Sequence, residues 1–136
     1  MKINKATFAM GCFWKPDFIF SKIKGVVKTE VGYMGGNEER YKNPSYKEVC
    51  SDETGYAEVV QIEFDTNEIS YKELLNIFWD NHNPTTINRQ GPDVGTQYRS
   101  IIFYHNQKQK NLAEKSKEEM QKKLTKKIVT EIVKVG

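Results

Sequence analysis

The stretch Tyr56–His82, YAEVVQIEFDTNEISYKELLNIFWDNH, changes its hydrophobic period once, and that change decides the fold. Up to Phe64 it alternates, with Glu58, Val60, Ile62 and Phe64 on one face, which predicts a strand over Tyr56–Phe64. From Ser70 the spacing becomes helical. Ser70 with Glu73 three residues later forms a capping box, and Tyr71, Leu74, Leu75, Phe78 and Trp79 mark one apolar face, so a helix runs on until near His82.

Working outward, the same two periods recur on both sides. Upstream, Lys5–Met10 alternates with Ala6, Phe8 and Met10 on one face and stops at Gly11. Pro16, Ile19, Phe20 and Ile23 then follow helical spacing, Pro16 being tolerated in a first helical turn, and Gly25 ends the segment. The β-branched run Val26–Tyr33 is a second strand closed by Gly35 and Gly36. Downstream, Arg99–Tyr104 is a strand, Asn106 with Gln109 opens a helix, and Lys127–Val133 is a last strand. Two stretches fit neither period and are read as long site-building loops, residues 36–56, with a helical turn at Ser45–Cys50, and Asn83–Gln97. The order strand, helix, strand, strand, helix, strand contains the split pattern of a ferredoxin-like two-layer α+β sandwich, a mixed β-sheet with helices packed on one face.

Composition limits what such a chain can be. With 136 residues, 38% hydrophobic and 29% charged, it has the size and make-up of one globular domain and excludes collagen-like and disordered classes. Nothing approaches the ~18 consecutive apolar residues of a membrane span, and the two cysteines are too few for a disulfide framework, so a cytoplasmic, reducing compartment is expected; the expected state is a monomer. The net charge of +3 is local, because residues 106–127 carry eight Lys against three Glu. In that segment Leu112, Ala113, Met120 and Leu124 form a narrow stripe, which turns most lysines to solvent.

Seven positions carry chemistry. Cys12 falls between a strand end and a helix start, where unpaired N–H groups, the helix dipole and nearby Lys15 favour an anion, so the residue suits a thiolate nucleophile. Phe13 and Trp14 place two aromatics beside that thiol, able to wall a small apolar pocket. Glu58 lies on the apolar face of its strand, and a carboxyl desolvated without a cation stays protonated and can serve as a general acid. Tyr46 and Tyr98, one from each long loop, supply neutral phenolic donors, and Asp93 accompanies Tyr98. A thiolate of this kind also suits peroxide reduction or acyl transfer, although acyl transfer normally wants a histidine base and His82 and His105 lie in no block tied to Cys12. The non-enzymatic alternative is a nucleic-acid-binding module, against which the strand Val59–Phe64 lacks the basic and aromatic alternation of an RNA reader.

The chain resembles the A-class peptide methionine sulfoxide reductases over nearly its whole length. The blocks that carry the resemblance are Gly11-Cys12-Phe13-Trp14, Thr29-Glu30-Val31-Gly32-Tyr33, Asn43-Pro44-Ser45-Tyr46, Glu48-Val49-Cys50, Gly55-Tyr56-Ala57-Glu58-Val59-Val60, Asn88-Arg89-Gln90-Gly91 and Asp93-Val94-Gly95-Thr96-Gln97-Tyr98-Arg99-Ser100. The resemblance implies reduction of methionine S-sulfoxide, free or in peptides and proteins, to methionine. In it Cys12 attacks the sulfur and Glu58 protonates the departing oxygen, assisted by Tyr46 and Tyr98. Phe13 and Trp14 hold the ε-methyl, and Asp93 orders the polar side. It implies neither metal nor organic cofactor, and recycling of a Cys12 sulfenic acid by a thioredoxin-like protein or small thiol. Nucleic acid and membrane are not expected partners. Three departures stand out. Lys15 replaces the usual Gly, Tyr56 replaces the usual His, and the chain ends at Gly136 without the C-terminal tail in which the family commonly keeps resolving cysteines. The expectation is a single domain over residues 1–136 lacking that tail. Cys50 is then the one internal candidate for a resolving thiol, ranked below an external reductant.

Overall fold

The computed structural model describes residues 2–12, 14–34, 57–91 and 93–135. The expected helical turn at Ser45–Cys50, and with it the loop 36–56, lies outside the described residues. The chain order is β1 (Ile3–Met10), α1 (Trp14–Ser21), β2 (Val26–Met34), β3 (Ala57–Asp65), α2 (Tyr71–Asp80), β4 (Arg89–Gln90), β5 (Asp93–Val94), a 3-10 turn (Thr96–Tyr98), β6 (Ser100–Tyr104), α3 (Gln107–Gln121) and β7 (Glu131–Lys134). The five longer strands form one sheet in the order β2-β3-β1-β6-β7. Every neighbouring pair is antiparallel except β6 and β7, which run parallel. Strands β1, β2, β3 and β6 thus have the split βαβ topology read from the sequence, with β1 central and β7 added at the edge.

The helices cover one face of that sheet, as alternation in β1 and β3 requires. Ala6, Phe8 and Met10 of β1, Val60, Ile62 and Phe64 of β3 and Ile102 of β6 pack with Phe20 of α1, Leu74, Leu75, Phe78 and Trp79 of α2 and Ala113 of α3. Phe8 is the hub, its ring 5.0 Å from that of Phe78 and 5.7 Å from that of Phe20. The opposite face buries less, namely Ala9, Ala57, Val59, Ile101 and Phe103. On α3 and just beyond its end, Ala113 is buried and Leu112, Met120 and Leu124 lean on the core, while Lys108, Lys115, Lys122 and Lys123 face solvent.

Both helix starts obey the local chemistry expected of them. Ser70 Oγ accepts the Glu73 N–H at 3.1 Å, and the Asn106 side chain accepts the Gln109 N–H at 2.9 Å. Gln109 then does more than a cap requires, because its amide donates to Lys5 O at 2.7 Å and accepts the His105 N–H at 2.9 Å. Two expectations need correction. The last strand begins at Glu131, not Lys127, because the preceding N–H groups bond elsewhere: Ile128 N–H to Gln121 Oε1 at 2.8 Å and Val129 N–H to Pro84 O at 2.8 Å. Likewise Asn83–Gln97 is not a plain loop, since Arg89 pairs with Val94 and Gln90 with Asp93 in a small ribbon that leads into the 3-10 turn.

Candidate active site

The register of the sheet gathers the candidate residues at one of its ends. Phe8 of β1 pairs with Val60, two residues after Glu58, which itself pairs with Tyr33 of β2. Met10 pairs with Ser100, two residues after Tyr98. Cys12 leaves β1 at this end, Glu58 enters β3 there, and Tyr98 closes the 3-10 turn that leads into β6. That turn packs against both β3 and β4.

A local device turns the chain between Met10 and α1. Gly11 has φ +98°, a left-handed conformation that only glycine adopts cheaply, and a Cβ there would meet Gln90 Cβ and Cγ at 2.9 Å. Gln90 is held in that seat by a double clasp with Asn83, accepting the Asn83 N–H at 2.9 Å and donating to Asn83 O at 2.6 Å. Cys12 is half-buried and free, two residues before the first turn of α1. It opens into a cleft of about 460 Å³ lined by Met10, Cys12, Lys15, Asn81, His82, Asn83, Gln90, Gly91 and Asp93.

Glu58 is buried, with 1% of its surface exposed, which matches its expected place beside Val60 and Ile62. Tyr98 and Asp93 are half-buried. Trp14 is 65% exposed at the first position of α1. Phe13, Tyr46 and Cys50 lie outside the described residues. Of the expected set, then, Cys12 and Asp93 share the cleft wall, while β3 and the 3-10 turn bring Glu58 and Tyr98 to the same end of the sheet. Among the described residues, no group of three or more His, Cys, Asp or Glu is arranged to hold a metal ion.

The cleft also contains a residue with no expected part in it. His82, just beyond α2, has both ring nitrogens engaged: Nδ1 lies 2.6 Å from Phe78 O, and Nε2 lies 2.7 Å from Ser100 Oγ. A carbonyl only accepts, so Nδ1 carries the proton and Nε2 of the neutral ring accepts from the Ser100 hydroxyl. Ser100 Oγ is in turn 2.8 Å from Thr130 Oγ1, which donates to it once the Ser100 proton is committed to His82. Burial, aided by the charge of Lys15, lowers the His82 pKa from 6.5 to about 4 against the opposing bond to Phe78 O, so the ring is neutral at physiological pH. Spacing from Cys12 carried no sign of this, because the ring is tied to β6 and not to the thiol.

A family model described as peptide methionine sulfoxide reductase matches residues 4–136. The chain belongs to that family. It is 56% identical over 136 residues to the peptide methionine sulfoxide reductase MsrA of Methanosarcina acetivorans, an alignment covering 98% of this chain and 71% of the relative. The fold superposes on the crystal structure of reduced Mxr1 from Saccharomyces cerevisiae with a TM-score of 0.93 at 40% identity, covering 99% of this chain and 77% of that one. Mxr1 in complex with Trx2 matches with a TM-score of 0.72 at 28% identity, covering 99% and 78%. The chain is accordingly an oxidoreductase that reduces methionine sulfoxide to methionine. The α+β sandwich with a mixed sheet, expected from hydrophobic period alone, is the fold of this family.

Proposed function

We propose that residues 1–136 form one reductase domain in which Cys12 is the nucleophile and Glu58 the general acid for reduction of the S epimer of methionine sulfoxide. The observation that carries the reading is the meeting, at one end of the sheet, of a free half-buried thiol and a buried carboxyl brought there by strand register. A sulfoxide sulfur becomes electrophilic when its oxygen is protonated or strongly hydrogen-bonded. The Cys12 thiolate attacks that sulfur while Glu58 gives its proton to the oxygen. The S–O bond then breaks, and the hydroxyl passes to Cys12. Methionine leaves, reduced by two electrons, and Cys12 is oxidised by two to a sulfenic acid.

Tyr98, and Tyr46 by family resemblance, donate to the oxygen as it accumulates charge. Asp93 orders the polar wall of the cleft it lines, and Trp14 with Phe13 receives the methyl group. Two thiols of an external reductant return Cys12 to its thiol, forming a disulfide and releasing water. The complex of Mxr1 with Trx2 supports a thioredoxin-like partner for this step. Cys50 is left without a part in recycling. The unit acts as a cytoplasmic monomer that binds neither nucleic acid nor membrane. Among the described residues no helix is long and apolar enough to cross a membrane.

The test is turnover of two peptides, each containing one defined epimer of methionine sulfoxide, with thioredoxin as reductant. Methionine should form from the S epimer alone, and the Cys12→Ser protein should form none. Equal turnover of both epimers, or product from the serine variant, would overturn the assignment.

A further inference from the structure

We propose that His82 is a positioning residue for the reaction, whose bond to Ser100 holds the entry of β6, and with it Tyr98, in register with the turn that carries Cys12. The inference rests on the role given to Tyr98 above.

His82 stands at a junction. Its Nδ1 closes the end of α2 on Phe78 O, and its Nε2 reaches across to Ser100 at the start of β6. Ser100 pairs with Met10, two residues before Cys12, and follows Tyr98 by two residues on the other side. The residue after His82 is Asn83, whose backbone clasps the Gln90 side chain, and Gln90 packs directly against Gly11. One short segment, Asn81–Asn83, therefore braces the nucleophile's turn on one side and the Tyr98 turn on the other. The Ser100 hydroxyl is fixed from behind by Thr130 at 2.8 Å, and Thr130 O accepts from Lys117 Nζ at 2.8 Å. The proton order of this chain is fully determined: Thr130 donates to Ser100, Ser100 to His82, and His82 to Phe78 O. A brace with one allowed proton arrangement resists small displacements, and a displacement of about 1 Å in a reacting geometry costs rate out of proportion to its cost in stability.

The two bonds of the ring can be separated by substitution. Asparagine at this position keeps a donor near Nδ1 and loses the reach to Ser100. Glutamine keeps a group near Nε2 and loses the contact with Phe78 O. Single-turnover rates and steady-state kcat and KM would be measured for His82→Asn, His82→Gln, Ser100→Ala and the double variant His82→Asn/Ser100→Ala, with melting temperatures for each and Tyr98→Phe as control. If the Ser100 bond positions Tyr98, kcat falls about tenfold in His82→Asn and in Ser100→Ala, with KM little changed. The double variant then falls no further, and His82→Gln recovers most of the rate. The inference is overturned if Ser100→Ala keeps the wild-type kcat, or if asparagine recovers the rate and glutamine does not, since the ring would then merely cap α2. Should His82→Asn fail to fold, Ser100→Ala, which removes one hydroxyl, decides alone. A wild-type rate in Tyr98→Phe would overturn the role of Tyr98 itself, whereas a slow Tyr98→Phe beside a fast Ser100→Ala would sink only the part given to His82.

Discussion

The two ends of the sheet are built on different principles. At the end where β1 begins, the chain is closed by helix caps and turn bonds that touch none of the candidate site residues. Asp65 Oδ1 accepts the Asn67 N–H at 3.0 Å, Thr66 N–H donates to Lys2 O at 2.9 Å, and Ser70 and Asn106 cap the two helices that start there. At the end where β1 stops, side chains tie together the segments around the Cys12 turn: His82 to Ser100, Gln90 to Asn83 and to Gly11, and Ser100 to Thr130. The first end specifies a fold, whereas the second adds polar side-chain bonds around the turn that carries Cys12 and the entry of β6. Substitutions at the first end should therefore register as stability, and substitutions at the second as rate.

The sharpest test of that division is Cys12→Ser, which should lose all measurable turnover while the unfolding free energy changes by no more than a surface substitution would cause, about 0.5 kcal/mol. Glu58→Gln should follow, slowing the chemical step by about 10²–10⁴, the usual worth of a positioned general acid, while stopped-flow binding of the sulfoxide peptide changes little. An equal loss of stability and rate in either variant would erase the distinction between the ends.

Acid should also strike the Cys12 end through His82. Its folded pKa lies below the unfolded value of 6.5, so the neutral ring stabilises the fold above pH 6.5, and that stability is lost as the pH falls from 6.5 through about 4. The loss by pH 4.5 is on the order of 2–3 kcal/mol, with His105, lowered by burial and by Lys5, adding in the same direction. Urea denaturation at pH 7 and pH 4.5 should show a smaller difference in His82→Gln than in the wild type. The smallest effect belongs to the opposite end, where Ser70→Ala should cost about 1 kcal/mol by urea denaturation and leave kcat/KM unchanged.

How much of this was legible in the sequence follows the same division. Alternation in β1 and β3 and the capping pairs Ser70–Glu73 and Asn106–Gln109 are patterns within a few residues, and each has its expected counterpart in the structure. The burial of Glu58 was readable for the same reason, because strand alternation sets its face before any partner is known. His82 was not readable, since its partner Ser100 lies 18 residues further on and Thr130 another 30 beyond that. The ribbon of β4 and β5 escaped because two-residue strands carry no period. The final strand is shorter than its apolar pattern suggests, because Val129 continues that pattern while its N–H bonds to Pro84 O and not to the sheet.

The central claim is that Cys12 receives the oxygen. It is tested most directly by a single turnover of an S-sulfoxide peptide without added reductant, followed by mass analysis of the peptide containing Cys12. The account predicts one methionine formed per chain and a gain of one oxygen on Cys12. Methionine formed with Cys12 unmodified would contradict the mechanism, and loss of two hydrogens through a Cys12–Cys50 disulfide would contradict recycling by an external thiol alone.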